Sequence, residues 1–196
     1  MVKLTENAYR DINIAFANEI SMVCEKFEID VTTLINLSNH HPRVNILQPG
    51  CGVGGHCIAI DPWFIASQAQ DITPLIQTAR RVNLNKTKWV ISQINYIIQR
   101  FKKENGYEPL VGCLGLSFKP DVEDLRESPA LKIVKNLIDY ECNLIVAEPN
   151  IQVSQDIQII HYEEVINKAD LIFILVSHKE FKSIKSDNKK IYNFSN

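Results

Sequence analysis

Leu4, Ala8, Ile12, Ala15, Phe16, Ile20, Val23 and Phe27 recur at three- and four-residue steps. That period predicts one amphipathic helix over 2–28. Val31 to Leu37 predict a second, short helix, with Asp30 placed to cap it. Residues 41–62 hold several prolines, a glycine cluster and no period. They read as a shaped loop and not a linker, being neither charged nor Ser-rich. A long helix is predicted from Thr73 to Asn105, with Thr73 as cap, Pro74 at its first position and Gly106 at its end. Its length suits an element that spans a domain or a subunit interface.

The pattern changes after residue 106. LVGCLGL (110–116) is a continuous apolar run, as in a buried strand. SPALKIVKNLIDY (128–140) predicts a helix with Ser128 as N-cap and Pro129 in its first turn. NLIVAEP (143–149) reads as a strand, EEVINKA (163–169) as a helix and DLIFILVS (170–177) as a third strand. KKIYNFSN (189–196) suits one more edge strand. Strands alternating with helices predict a small parallel sheet with right-handed crossovers. The fold class is therefore α/β, with a helical part over 1–106 and a parallel-sheet part over 107–196.

Composition narrows the possibilities. The 196 residues carry a net charge of −2, which argues against a nucleic-acid partner held by a basic surface. Apolar residues make up 45% and charged residues 22%, as in an ordinary globular chain. No apolar run approaches the ~18 residues of a membrane span, and MVKLTENAYRDINIAF has no signal-peptide pattern. Cys24, Cys51, Cys57, Cys113 and Cys142 include no CxxC pair. Reduced thiols in the cytoplasm are the expectation, not a disulfide framework.

The segment with the most chemistry is GCGVGGHCIAIDPWF (50–64). Gly50, Gly52 and Gly55 formally match G-x-G-x-x-G, but that fingerprint should follow a buried strand and open a helix. Here Pro49 precedes it and Asp61–Pro62 soon follow. Glycines at 50, 52, 54 and 55 still imply unusual backbone angles or close approach, and successive N–H groups in such a loop can bind an anion. Cys57 ends the loop. Burial is the ordinary fate of a lone cysteine, but a glycine-rich approach favours a reactive thiol. His56 beside it either favours the thiolate or serves structure. Cys51, His56, Cys57 and Asp61 match no standard zinc spacing, so no metal is expected. A cysteine hydrolase would need a partner histidine, and His40, His41, His161 and His178 lie in no recognisable setting.

The loop G-x-G-x-G-G-x-C-x-x-x-D resembles the catalytic motif of the UDP-glucose/GDP-mannose dehydrogenase family. KLTENAYRDINIAFANE (3–19) is similar to the family's K-x-x-x-N helix, and GLSFKPDVEDLRESPA (115–130) to its F-K-x-x-x-x-D-x-R-E-S block. GGHC and IDPWF resemble the branch that acts on UDP-N-acetyl-D-mannosamine. Ile60, where UDP-glucose dehydrogenases have lysine, suits an N-acetyl-hexosamine substrate. The resemblance implies a two-fold, NAD-dependent oxidation of a sugar-nucleotide alcohol to a carboxylate for surface polysaccharide. It implies Cys57 as nucleophile, Lys3 and Asn7 as oxyanion donors, and Asp61 for proton transfer and water activation. Gly52, Gly54, Gly55, His56, Phe118 and Lys119 would contact the substrate, with Arg43 reaching it across a dimer. Arg126 would reach NAD. The first part would be a central helical dimerisation domain, and residues 107–196 a Rossmann-like domain holding the uridine nucleotide.

A family enzyme begins with an NAD-binding Rossmann domain, and no strand–GxGxxG–helix unit precedes Lys3. The family's last strand and tail are expected to run beyond Asn196. The chain thus resembles the central and C-terminal parts of a homodimeric dehydrogenase, with the NAD domain deleted or on a separate polypeptide. Two functions follow from this. One is the catalytic and sugar-nucleotide half of a UDP-N-acetyl-hexosamine dehydrogenase. The other is a non-catalytic dimerisation and nucleotide-sugar-binding remnant.

Overall fold

The structure, a computed structural model, describes residues 1–151, 157–182, 184 and 190–195. Helices α1 (Val2–Lys26), α2 (Val31–Ser38), α3 (Asp61–Gln68) and α4 (Pro74–Asn105) come first. Then follow β1 (Val111–Leu114), α5 (Pro129–Asp139), β2 (Leu144–Ala147), α6 (Tyr162–Lys168), β3 (Leu171–Ile174) and β4 (Lys190–Asn193). The helix boundaries rest on local chemistry. Asp30 accepts from Thr33 N–H at 2.7 Å and opens α2, and Ser128 accepts from Leu131 N–H at 3.2 Å and opens α5. Gly106, with φ of 79°, ends α4 in the left-handed conformation that glycine permits. Thr73 does not cap α4. Its hydroxyl donates backward to Ala69 O at 2.8 Å.

The expected loop at 41–62 is shorter than predicted, because Asp61 and Pro62 open α3. Read as a turn, Asp–Pro is equally the start of a helix, since a proline in the first turn sacrifices no hydrogen bond within the helix. The stripe on α1 is only partly turned inward. Phe16, Val23 and Phe27 are exposed, and the buried positions are Ala8, Asp11, Ala15, Ala17, Asn18 and Cys24. Small and polar residues line the inner face because α4 brings its own polar groups there: Arg80 bonds Asp11 and Asn83 bonds Asn18.

The sheet has the strand order β2-β1-β3-β4, and every pair is parallel. The central strands β1 and β3 are wholly buried, while β4 at the edge is half-exposed. Residue 189, part of the predicted edge strand, and residue 196 lie outside the described residues. Alternate strand residues serve two faces. Val111, Cys113, Leu171 and Phe173 join Ile133 and Leu137 of α5 and Val90, Ile94 and Ile98 of α4. Leu114, Ile172 and Ile174 join Val165 of α6 on the other face. No helix among the described residues is long and apolar enough to cross a membrane.

Candidate functional site

Cys57 sits where the glycine loop turns into α3. Its carbonyl accepts from Ile60 N–H at 3.1 Å and Asp61 N–H at 2.8 Å, so one turn joins the thiol residue to the aspartate. Asp61 is buried at the first position of α3, where the helix dipole favours a carboxylate. Asn7 Nδ2 on α1 donates to Asp61 Oδ2 at 2.6 Å, and Lys3 Nζ lies 3.8 Å from the same oxygen. Residues 54 positions apart in sequence thereby meet at one carboxylate. Cys57 is half-buried, as Cys142 is, whereas Cys24, Cys51 and Cys113 are buried. His56 is exposed, with Nδ1 at 3.9 Å from Cys57 Sγ.

The loop is clamped from two sides. Asn18 Oδ1 accepts from Gly50 N–H at 2.8 Å, and Thr87 donates to Cys51 O at 2.8 Å. Cys51 Sγ donates to Leu175 O at 3.4 Å, and burial pushes that thiol up to about 12. A Cβ on Gly52 would lie 2.5 Å from Thr87 Oγ1. On the other side Gly55 N–H donates to Arg126 O at 3.0 Å. Gly55 holds a φ of +83°, and a Cβ there would lie 2.8 Å from the Phe118 ring. Gly54 lies against Glu127 O and Phe118 Cβ. Asn18, Asn83 and Thr87 escaped the sequence reading. Their signal is polar residues at helical spacing on buried faces: Asp11 and Asn18 on α1, Arg80, Asn83 and Thr87 on α4.

Phe118 and Lys119 follow β1 and border a cavity of about 420 Å³ together with Gly50, Gly52, Pro129 and Lys182, a size suited to a small ligand. Phe118 therefore touches both the cavity and the thiol loop. Lys119 Nζ lies 5.6 Å from the Phe118 ring centroid. Arg126 is exposed and pairs with Asp124 at 2.7 Å; hydrogen bonds from Arg126 hold the Asp124 carboxyl down to about 2. Arg43 is exposed in the loop after α2, and no contact among the described residues joins it to this group. The structure thus gathers Lys3, Asn7 and Asp61 and ties Cys57 to Asp61 through one backbone turn; it sets Gly54, Gly55, Phe118 and Arg126 along the same loop and leaves Arg43 apart.

In the glycine loop the N–H groups of Gly50 and Gly55 are already used, and the segment before it is not a strand. The loop therefore lacks the strand–turn–helix setting of a dinucleotide fingerprint. Asp121, His178 and Glu180 bring ligand-type atoms within 4.8 Å of one another. His178 Nδ1 is engaged there, accepting from Asp121 N–H at 3.0 Å.

Residues 1–85 match the model of the UDP-glucose/GDP-mannose dehydrogenase family, central domain. Residues 112–194 match the same family's UDP binding domain. UDP-N-acetyl-D-mannosamine dehydrogenase of Campylobacter jejuni is 50% identical, over 95% of this chain and 47% of that protein. NDP-N-acetyl-D-galactosaminuronic acid dehydrogenase of Ralstonia nicotianae is 47% identical, over 95% of this chain and 44% of that protein. The solved UDP-D-ManNAc dehydrogenase from Pyrococcus horikoshii superposes with a TM-score of 0.85 at 34% identity, covering 100% of this chain and 47% of that one. The chain spans about half the length of the curated relatives it matches. Matched in order along both its helical and its sheet parts, it belongs to the UDP-glucose/GDP-mannose dehydrogenase family.

Proposed function

We propose that this chain carries the reactive thiol and the sugar-nucleotide site of an NAD-dependent UDP-N-acetyl-D-mannosamine 6-dehydrogenase of the cytoplasm. Residues 1–106 act as the central, dimerising part and residues 107–196 as the nucleotide-binding part. The observation that carries this reading is the meeting of Lys3, Asn7 and Asp61 one helical turn from Cys57. When bound, NAD would accept the two hydrides, the first leaving the C6 alcohol as an aldehyde and the second leaving the thiol adduct as a thioester; Arg126 would be among the residues that reach it. The Cys57 sulfur adds to the C6 aldehyde carbon, a C–S bond forms and the carbonyl oxygen becomes an oxyanion. Lys3 and the free proton of Asn7 Nδ2 stabilise that oxyanion. Once the same carbon has been oxidised to a thioester, Asp61 takes the proton of the attacking water. The C–S bond breaks and the carboxylate leaves. The nucleotide lies in the cavity beside Phe118 and Lys119, with Gly52, Gly54, Gly55 and His56 bordering the sugar and Arg43 reaching a partner protomer's substrate.

The test uses the purified chain with UDP-N-acetyl-D-mannosamine. Calorimetry is expected to show binding, and the sugar nucleotide is expected to slow iodoacetamide labelling of Cys57 but not of Cys142. With NAD added, no NADH is expected. Equal labelling of both thiols with and without ligand would sink the assignment of Cys57. Steady NADH formation that is lost in Cys57→Ala would show that this chain holds the dinucleotide after all.

A further inference from the structure

Glu148 and His178 form a buried ionisable pair outside the site described above, at 3% and 0% exposure. Glu148 follows β2 and His178 lies shortly after β3, so both sit at the carboxyl end of the parallel sheet. That edge is where open α/β sheets bind ligands. Glu148 Oε2 accepts from Leu116 N–H at 2.7 Å, Ser117 N–H at 3.0 Å and His178 Nε2 at 3.1 Å. Its other oxygen accepts from Asn150 N–H at 3.0 Å. Because His178 Nδ1 accepts from Asp121 N–H, the ring proton is assigned to Nε2, facing the carboxylate.

These bonds grip one short segment at both ends. Glu148 holds Leu116 and Ser117, His178 holds Asp121, and Phe118 and Lys119 lie between. An apolar pair of similar volume would fill the space, but it would take these acceptors from four backbone N–H groups, those of Leu116, Ser117, Asp121 and Asn150. We infer that Glu148 and His178 are a positioning pair that sets the Phe118–Lys119 loop for the sugar nucleotide, and through Phe118 sets the Gly54–Gly55 bend before Cys57. The inference rests on the reading that Phe118 and Lys119 contact that ligand. Burial drives the Glu148 carboxyl upward, but hydrogen bonds from His178 and the Leu116 and Asn150 amides bring it below the ordinary glutamate range. The group therefore stays an acceptor for all its donors.

Amide hydrogen exchange and calorimetry on the same variants test the pair. Glu148→Gln keeps the shape but presents an NH₂ to at least one N–H donor. It is expected to speed exchange over residues 116–121 by about ten-fold or more, with β1 and β3 unchanged, because a buried N–H left without its acceptor opens more readily. Binding of UDP-N-acetyl-D-mannosamine should weaken by a similar factor, as it should in Lys119→Ala. A merely structural role would speed exchange in the strands as much as in the loop. If Glu148→Gln does not fold, His178→Gln reads the loop from its other end: it keeps a donor toward Glu148 and loses the acceptor for Asp121. Unchanged exchange at 116–121 overturns the inference. So does unchanged binding in the pair variants when Lys119→Ala binds weakly. Full binding in Lys119→Ala overturns the reading of the site itself, and this inference with it.

Discussion

Lys86 lies on α4 with its ammonium 2.7 Å from Ser21 Oγ and 4.1 Å from the Trp89 ring centroid. It is 3% exposed, and burial pulls it down to about 8, with Cys51 and Glu25 offsetting only part of that. A lysine depressed in the folded state costs stability wherever both states are protonated, that is, below pH 8. The cost is relieved as pH rises from about 8 to the 10.5 of an exposed lysine, because only the unfolded chain then holds the proton. Lys86→Met is therefore expected to raise stability at pH 7 by about 1–2 kcal/mol, and the advantage should shrink toward pH 10. Urea unfolding of both proteins across that range checks it. Cys51 and Cys113 work in the opposite sense, since burial pushes both thiols up. The unfolded chain loses those protons first, so stability falls above pH 9 in wild type and variant alike. An advantage for Lys86→Met that does not shrink with pH would contradict a depressed lysine.

At the scale of elements, α1 and α4 are joined by a polar seam. Arg80 Nη1 meets Asp11 Oδ1 at 2.5 Å, and Asn83 Nδ2 donates to the same oxygen at 2.8 Å. Asp11 Oδ2 and Arg80 Nε are buried without a hydrogen-bond partner among the described residues, and burial pushes the Asp11 carboxyl up despite Arg80. Arg80→Met should cost about 3–5 kcal/mol by stranding that carboxylate. The double variant Asp11→Asn/Arg80→Met should recover at least about 1 kcal/mol, because an amide still accepts from Asn83. Chemical denaturation of the three proteins measures the coupling. This seam marks where the sequence was hardest to read. Caps and strands carried local signals: Asp30, Ser128 and Gly106 sit where their chemistry requires, and LVGCLGL and DLIFILVS are apolar enough to be central strands. The inner face of α1 carried no such signal, because helix periodicity finds large apolar residues and here they face outward. Asp61–Pro62 had two local meanings, and only packing against Asn7 selects the helix. Cys57, Lys3 and Asn7 were legible through the family motif. Glu148 and His178 were not, since hydrogen bonds across 30 residues leave no period behind.

For the whole molecule, the outward face of α1 carries an exposed apolar stripe. Val2, Tyr9, Phe16 and Val23 stand at seven-residue steps and are 75%, 69%, 53% and 44% exposed. The dimer proposed above would cover that stripe. Sedimentation of the chain is expected to give twice its 22.4 kDa mass, and Phe16→Glu a single mass; a monomeric wild type would sink the dimer reading. The other whole-molecule feature is α4 itself. Its first turns face α1, and its last ones, Val90 through Phe101, share one core with β1 and β3. No apolar boundary separates the helical part from the sheet part at residue 106. The two parts should therefore melt together, in one calorimetric transition whose van't Hoff and measured enthalpies agree. Residues 107–196 cut out alone would expose the apolar face that α4 covers. The nucleotide-binding part is thus not a portable module: heat, truncation or a fusion that frees it from α4 would cost the thiol loop and the sheet their structure in the same step.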